Sequence, residues 1–106
     1  MKYFEMRTYT IKPGYLGSYL KAFEEIAYPI MKNHQMKLIG YWYTEVGQLN
    51  KVVHIWEYDS LDQRTTIRSE LYNDSDWKND FLPVAIPMLE SQTNEFMYAA
   101  NFSPVR

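Results

Sequence analysis

The sequence predicts an α+β domain of the ferredoxin-like plan, βαββαβ, with a four-stranded antiparallel sheet and both helices on one face. Three observations carry that reading. Apolar residues alternate with period two near the N-terminus and in the middle of the chain, and a segment near the end is strand-like in composition. Between the first two strand segments runs a stripe of helical period. The segments then follow one another in the order strand, helix, strand, strand, helix, strand. With 106 residues, 46% of them hydrophobic and 23% charged, the chain is expected to form a single domain, residues 1–106, around one core.

The first strand is expected over "KYFEMRTYTIK", residues 2–12, and Pro13–Gly14 close it with turn chemistry. Residues 15–33 read as a helix, because Leu16, Leu20, Phe23, Ala27 and Ile30 recur at spacings of three and four. Pro29 lacks a backbone donor and crowds the carbonyl of Glu25, which predicts a kink near it. A hairpin follows, residues 36–46 paired with 51–58 through "GQLN". The second helix is expected over 60–72, opened by a capping box with Ser60 at the N-cap and Gln63 three residues on. A shorter helical stretch starts near "DSDW", with Trp77, Phe81 and Val84 at helical spacing and Pro83 and Pro87 limiting it. The last strand is expected at 91–102, before a short tail ending in "SPVR".

Composition excludes several function classes. A net charge of -2, with no dense cluster of Lys and Arg, argues against nucleic acid. No cysteine is present, which removes disulfides, thiolate metal sites and cysteine nucleophiles. No signal-like apolar run opens the chain, and no stretch reaches the roughly 20 apolar residues of a membrane helix. The expected setting is cytoplasmic, with no membrane partner, and the Asn-x-Ser sequons at Asn73 and Asn101 read as chance. No P-loop, GxGxxG, HExxH or GxSxG motif occurs. Two histidines 20 residues apart make a poor metal set, so neither metal nor cofactor is expected.

The outlier is aromatic content, 17% with ten tyrosines, which suits interfaces and polar-rimmed cavities. In "KVVHIWEYDS" Val53 and Ile55 occupy one strand face, and His54, Trp56 and Tyr58 the other. In the first strand Phe4 and Met6 oppose Tyr3, Glu5, Arg7 and Tyr9. The apolar sets are expected beneath the helices with Leu20 and Phe23. The aromatic and ionisable sets are then contiguous on the helix-free face. A hairpin closing with Val46 opposite Lys51 adds Tyr41 and Tyr43 to that face, across from Trp56 and His54; a one-residue shift adds Trp42 and Thr44 instead. A bare patch of this kind is rare on a monomer, so a second copy is expected to cover it, sheet against sheet, enclosing an aromatic-lined space.

Three readings of that space stand side by side. In a binding module, Arg7 takes the anionic group of a small planar molecule, and Tyr41, Tyr43, Trp56 and Tyr58 stack on its body. In a cofactor-independent oxygenase or isomerase, His54 is the general base, Glu5 orients it or shares its proton, and Tyr9 or Arg7 stabilises an enolate. In a purely structural dimer, Glu5 and Arg7 pair with each other and the aromatics fill the core. His34, near the end of the first helix, reads as a dipole-complementing cap, and Trp77 as a core anchor.

"YFEMRTYTIKPG", "GYWYTEVGQLNKVVHIWEYDSLDQR" and the late Trp77…"FLP"…"FSP" resemble the NIPSNAP family across almost the whole chain, most specifically over residues 40–64. The resemblance implies the dimeric α+β barrel, two ferredoxin-like protomers joined sheet to sheet. The wider superfamily with this barrel includes cofactor-independent monooxygenases, haem-degrading enzymes and small isomerases, an analogy of fold and not of chemistry.

Overall fold

The computed structural model describes residues 1–106. Strand β1 (Tyr3–Ile11) leads through a turn at Gly14, whose φ of 89° lies where a side chain would be strained, into helix α1 (Leu16–Ala22). A π turn (Phe23–Ala27) joins α1 to α2 (Tyr28–Asn33). Then come β2 (Lys37–Tyr43), β3 (Lys51–Tyr58) and helix α3 (Leu61–Asn73). A second π turn (Trp77–Phe81), a single turn α4 (Leu82–Ala85), a 3₁₀ turn (Ile86–Met88) and β4 (Leu89–Met97) complete the chain. The sheet is antiparallel with order β2-β3-β1-β4, the ferredoxin-like arrangement.

The prolines act differently from the expected kink. In "FEEIAYP" and "WKNDFLP" an aromatic residue opens a π turn and a proline stands six residues later. Each π turn closes on a backbone bond that spans five residues instead of four, Tyr28 N–H to the Phe23 carbonyl and Leu82 N–H to the Trp77 carbonyl. The helix is widened just before a proline that can donate nothing, and Pro29 and Pro83 then sit in the first turn of α2 and α4, where no donor is needed. The widening also explains a misplaced residue. Val84, expected to face the core, is 45% exposed, while Ala85 is buried. One extra residue in the turn rotates the following face by one position.

Other boundaries move little. Ser60 caps α3, its Oγ accepting from Gln63 N–H at 3.0 Å, and the Gln63 side-chain Oε1 accepts from Asp59 N–H at 2.6 Å. The last strand runs 89–97 rather than 91–102; beyond it Tyr98 tilts against Tyr3 at 4.8 Å and the chain turns across the end of the sheet. In the hairpin, Thr44 N–H bonds the Lys51 carbonyl, and Tyr41 lies opposite His54, a shift of two residues from the expected closure. A shift of two preserves the face, so Tyr41 and Tyr43 do share the side of His54. A bulge at Ile39 follows the Leu38–Trp56 pair.

The faces of the sheet are the principal correction. Glu5, Arg7, Tyr9, His54, Trp56 and Tyr58 are buried beneath the helices, where the sequence placed Phe4, Met6, Val53 and Ile55. Phe23 of the first π turn packs on His54 (5.7 Å between centroids), Trp56 (6.5 Å) and Tyr41 (4.7 Å), and Tyr19 of α1 meets Tyr9 edge-on at 6.5 Å. Met6, Val53 and Ile55 lie on the helix-free face, half-buried, and Phe4 is covered there by the C-terminal segment. The aromatic-lined space therefore lies between sheet and helices of one protomer, not between two sheets. Hydrophobicity could not decide the matter, because both faces are largely apolar and many polar atoms of the inner one bond to one another.

Candidate functional site

Central strands β1 and β3 bring Arg7 and His54 side by side, as partners in register. Above them the two π turns and α4 leave a cavity of about 210 Å³. Arg7, Tyr9, His54 and Gln92 form part of its sheet side, Tyr19, Phe23, Trp77 and Phe81 part of its helical side. Arg68 and Tyr72 of α3 close one flank. Both π turns thus supply wall residues, in keeping with the frequent appearance of such turns at functional sites.

Charge in this region is unbalanced. The Glu5 carboxylate, fully buried, accepts through Oε2 from Arg7 Nη1 (3.1 Å), from Arg64 Nη2 (2.7 Å) and Nε (3.2 Å), and from Asn94 Nδ2 (2.9 Å). Burial works to raise its pKa, but the bonds and charges of Arg64, Arg7 and Asn94 outweigh burial and leave the carboxyl below its usual value. Arg7 also donates from Nε to the Tyr9 hydroxyl at 2.6 Å. Arg68 shares none of this. It is 5% exposed, makes no ion pair, donates from Nε to Tyr72 Oη at 3.0 Å, and holds Nη1 buried without a partner. Two guanidinium groups share the one carboxylate, the third, Arg68, has none, and no Asp or Glu lines the cavity.

His54 is 1% exposed. The Trp56 indole N–H donates to its Nδ1 at 2.7 Å, Tyr41 stacks on it at 4.6 Å and 15°, and Tyr9 meets it edge-on at 4.8 Å. Its Nε2 has no partner. Burial first, then the positive fields of Arg7 and Arg68, push its pKa down to about 3, so the ring is neutral at physiological pH. Burial likewise pushes the Tyr19, Tyr41 and Tyr58 hydroxyls up, and all three stay protonated.

Of the residues singled out in the sequence, the cavity gathers Arg7, Tyr9 and His54. Glu5, Trp56, Tyr58 and Tyr41 pack on the same sheet face outside its wall, Glu5 and Trp56 as bonding partners of Arg7 and His54. Tyr43 stands apart, 55% exposed at the edge strand. His34, a candidate cap, terminates α2 and donates from Nε2 to Asp74 at 2.7 Å, tying that helix to the segment after α3. Trp77 is buried as expected but also lines the cavity, with its indole N–H unpartnered. Arg68 was missed. Its signal lies in the spacing of "LDQRTTIRSEL": Arg64, Ile67, Arg68 and Leu71 form the inward stripe of α3, and half of that stripe is arginine.

A larger hollow, about 540 Å³, lies on the helix-free face between Phe4, Trp42, Ile55, Met97 and the C-terminal segment. Ten of its twelve lining residues are hydrophobic and none is charged, so it has the character of a contact surface rather than a reaction site.

Comparison with known proteins agrees with this architecture. The family model for NIPSNAP matches residues 4–104. Protein NipSnap homolog 3A of Homo sapiens is 34% identical over 97 residues, 91% of this chain, and the homolog from Dictyostelium discoideum is 34% identical over 83 residues. The chain spans about two fifths of the length of the human relative, 38%. Among solved structures, a NIPSNAP family protein from Agrobacterium tumefaciens superposes with a TM-score of 0.95 at 36% identity, each chain fully covered. A second protein of that family and organism, described as of unknown function, gives 0.94 at 39% identity, with 99% of this chain and 94% of the other covered. A candidate antibiotic biosynthesis monooxygenase from Caulobacter crescentus gives 0.68 at 14% identity, covering 94% and 91%, a likeness of fold alone.

Proposed function

The chain belongs to the NIPSNAP family, and from that premise we propose that it is a binding module for a small, planar, anionic molecule held between sheet and helices of each protomer. The observation that carries the proposal is Arg68. A guanidinium cannot discharge itself on burial, and an unpaired one is costly to keep from water. Arg7 has its acceptors in Glu5 and Tyr9; Arg68 has only the neutral hydroxyls of Tyr72 and, nearby, Tyr58, and no carboxylate, in the wall of the cavity. A carboxylate there offsets the Arg68 charge with a charge-assisted bond, and the aromatic walls accept a flat body.

The helix-free face is proposed to take a second copy of the chain, its hollow being lined by ten hydrophobic residues and no charged one. The test of the binding reading is thermal denaturation with small carboxylates, acetate, butyrate and benzoate. A ligand at 100 times its Kd adds about 2.7 kcal/mol of stability. At least one acid is expected to raise the melting temperature, and Arg68→Met is expected to abolish the rise. No response from the wild type to any of them would overturn the proposal.

A further inference from the structure

Hydrogen-bonding capacity around the cavity is one-sided, and that property narrows the ligand beyond its charge. An indole N–H is a donor and nothing else. Its 2.7 Å bond to His54 Nδ1 therefore requires a lone pair on that nitrogen. A neutral imidazole with a lone pair on Nδ1 carries its proton on Nε2. The doubly protonated ring would set N–H against N–H and lose the bond. Tyr41 on one face and Tyr9 at the edge fix the ring plane, so it has no room to turn away. His54 is a wall residue of the cavity and Trp56 is not, and Nε2, buried with no protein partner, is the polar atom the ring has left to offer.

The other idle side-chain atoms of the wall residues are donors as well; the idle acceptor Glu5 Oε1 belongs to a residue outside the wall. Arg68 Nη1 and Trp77 Nε1 are buried without partners, and both residues line the same cavity. The Tyr9 oxygen already accepts from Arg7, so its own proton is free to be given. On the opposite side of the account there is no carboxylate in the wall.

Resting on the anion-binding reading above, we infer that Trp56 locks His54 as a neutral Nε2–H donor, and that the ligand is an acid with a further acceptor oxygen next to its carboxylate, the class of 2-oxo acids and their enolates. Arg68 takes the carboxylate and His54 the second oxygen. His54 is a donor that would stabilise oxyanion character, and it is not a general base, since one nitrogen lone pair is engaged by Trp56 and the other nitrogen bears the proton. Trp56 is a positioning residue that acts through the ring.

Matched pairs of probes test the inference: 2-oxobutyrate against butyrate, and pyruvate against propionate, each differing only at C2. Calorimetric titration of the wild type is expected to show the 2-oxo member binding about tenfold tighter, the worth of one good hydrogen bond to a buried donor. His54→Leu should erase the difference and leave simple carboxylate binding in place, whereas His54→Gln, which keeps a donor, should retain part of it. Trp56→Phe, a change outside the cavity wall, should also weaken the preference by freeing the tautomer. Nitrogen-15 NMR of the wild-type imidazole is expected to show the Nε2–H form with no titration between pH 7 and pH 5. Equal binding of 2-oxobutyrate and butyrate, or a ring protonated on Nδ1, overturns this inference and leaves anion binding standing. Failure of every acid to bind removes both.

Discussion

Burial acts differently on His54 and Arg68, because an imidazole can shed its proton and a guanidinium cannot. The consequence for His54 is a pH-dependent stability with a definite sign. Its folded pKa lies near 3, below the unfolded value of about 6.5. The unfolded chain therefore binds the extra proton first, and stability present above pH 6.5 is lost as pH falls toward 3. Between pH 6.5 and pH 5 the loss attributable to this group is about 2 kcal/mol. Urea denaturation at the two pH values should show it for the wild type, and His54→Gln should lack most of the slope; equal slopes would mean the ring titrates in the fold as it does in the unfolded chain. For Arg68 the expectation runs the other way. Arg68→Met removes an unbalanced buried cation and keeps much of its volume, so the unliganded protein should be no less stable, and up to about 1 kcal/mol more so. A loss above about 2 kcal/mol in the same denaturation experiment would show that the charge is already satisfied. The sequence made Arg7 and His54 visible because strand alternation puts them on one face. It hid Arg68, because an arginine in a polar-looking helix reads as solvated until the inward stripe of that helix is known.

At the scale of elements, periodicity located every strand and helix; it held through the first π turn, where Ala27 and Ile30 are buried as expected, and failed at the second. A π turn inserts one residue, and a pattern read at 3.6 residues per turn can then slip by about 100° in the turn that follows. Val84 and Ala85 exchange roles for that reason. The signal was the repeated spacing of aromatic and proline in "FEEIAYP" and "WKNDFLP", which marks a helix that has to release a carbonyl. Both turns hold cavity residues in place, so restoring a regular helix should be felt at the site. Deleting Asn79, an exposed residue inside the second turn, is expected to rotate Trp77 against Phe81, lower the melting temperature and abolish the response to carboxylates. A deletion variant with unchanged stability and ligand response would show that the widened turn is incidental. Phe23, buried against His54, Trp56, Tyr41 and Phe81, is the main strut of the first turn. Phe23→Ala should cost about 3–5 kcal/mol in chemical denaturation, and a cost near that of a surface change, about 0.5 kcal/mol, would contradict its place in the core.

At the scale of the molecule, the inversion of the sheet faces leaves the demand for a partner standing and changes what the partner covers. The outer face now carries Val53, Ile55, Met6 and Trp42, with Trp42 52% exposed. Its indole lies flat over Gly40, where an added Cβ would overlap the ring, so the outer surface at that point is smooth and aromatic. A smooth apolar face on a central strand pair is the kind of surface that two copies related by a twofold axis bury against each other. The expected state at micromolar concentration is a dimer of the 12.7 kDa chain. Ile55→Lys places a charge at the centre of that face without touching the cavity, whose wall lies on the other side of the sheet. Sedimentation should then report a monomer, with helix and strand content by circular dichroism unchanged. Because each cavity is enclosed by one protomer, the monomer should still respond to carboxylates, at lower overall stability. A wild type that sediments as a soluble monomer would remove the second copy from the proposal. An Ile55→Lys monomer that keeps its fold but loses all ligand response would instead mean that the partner helps to shape the site.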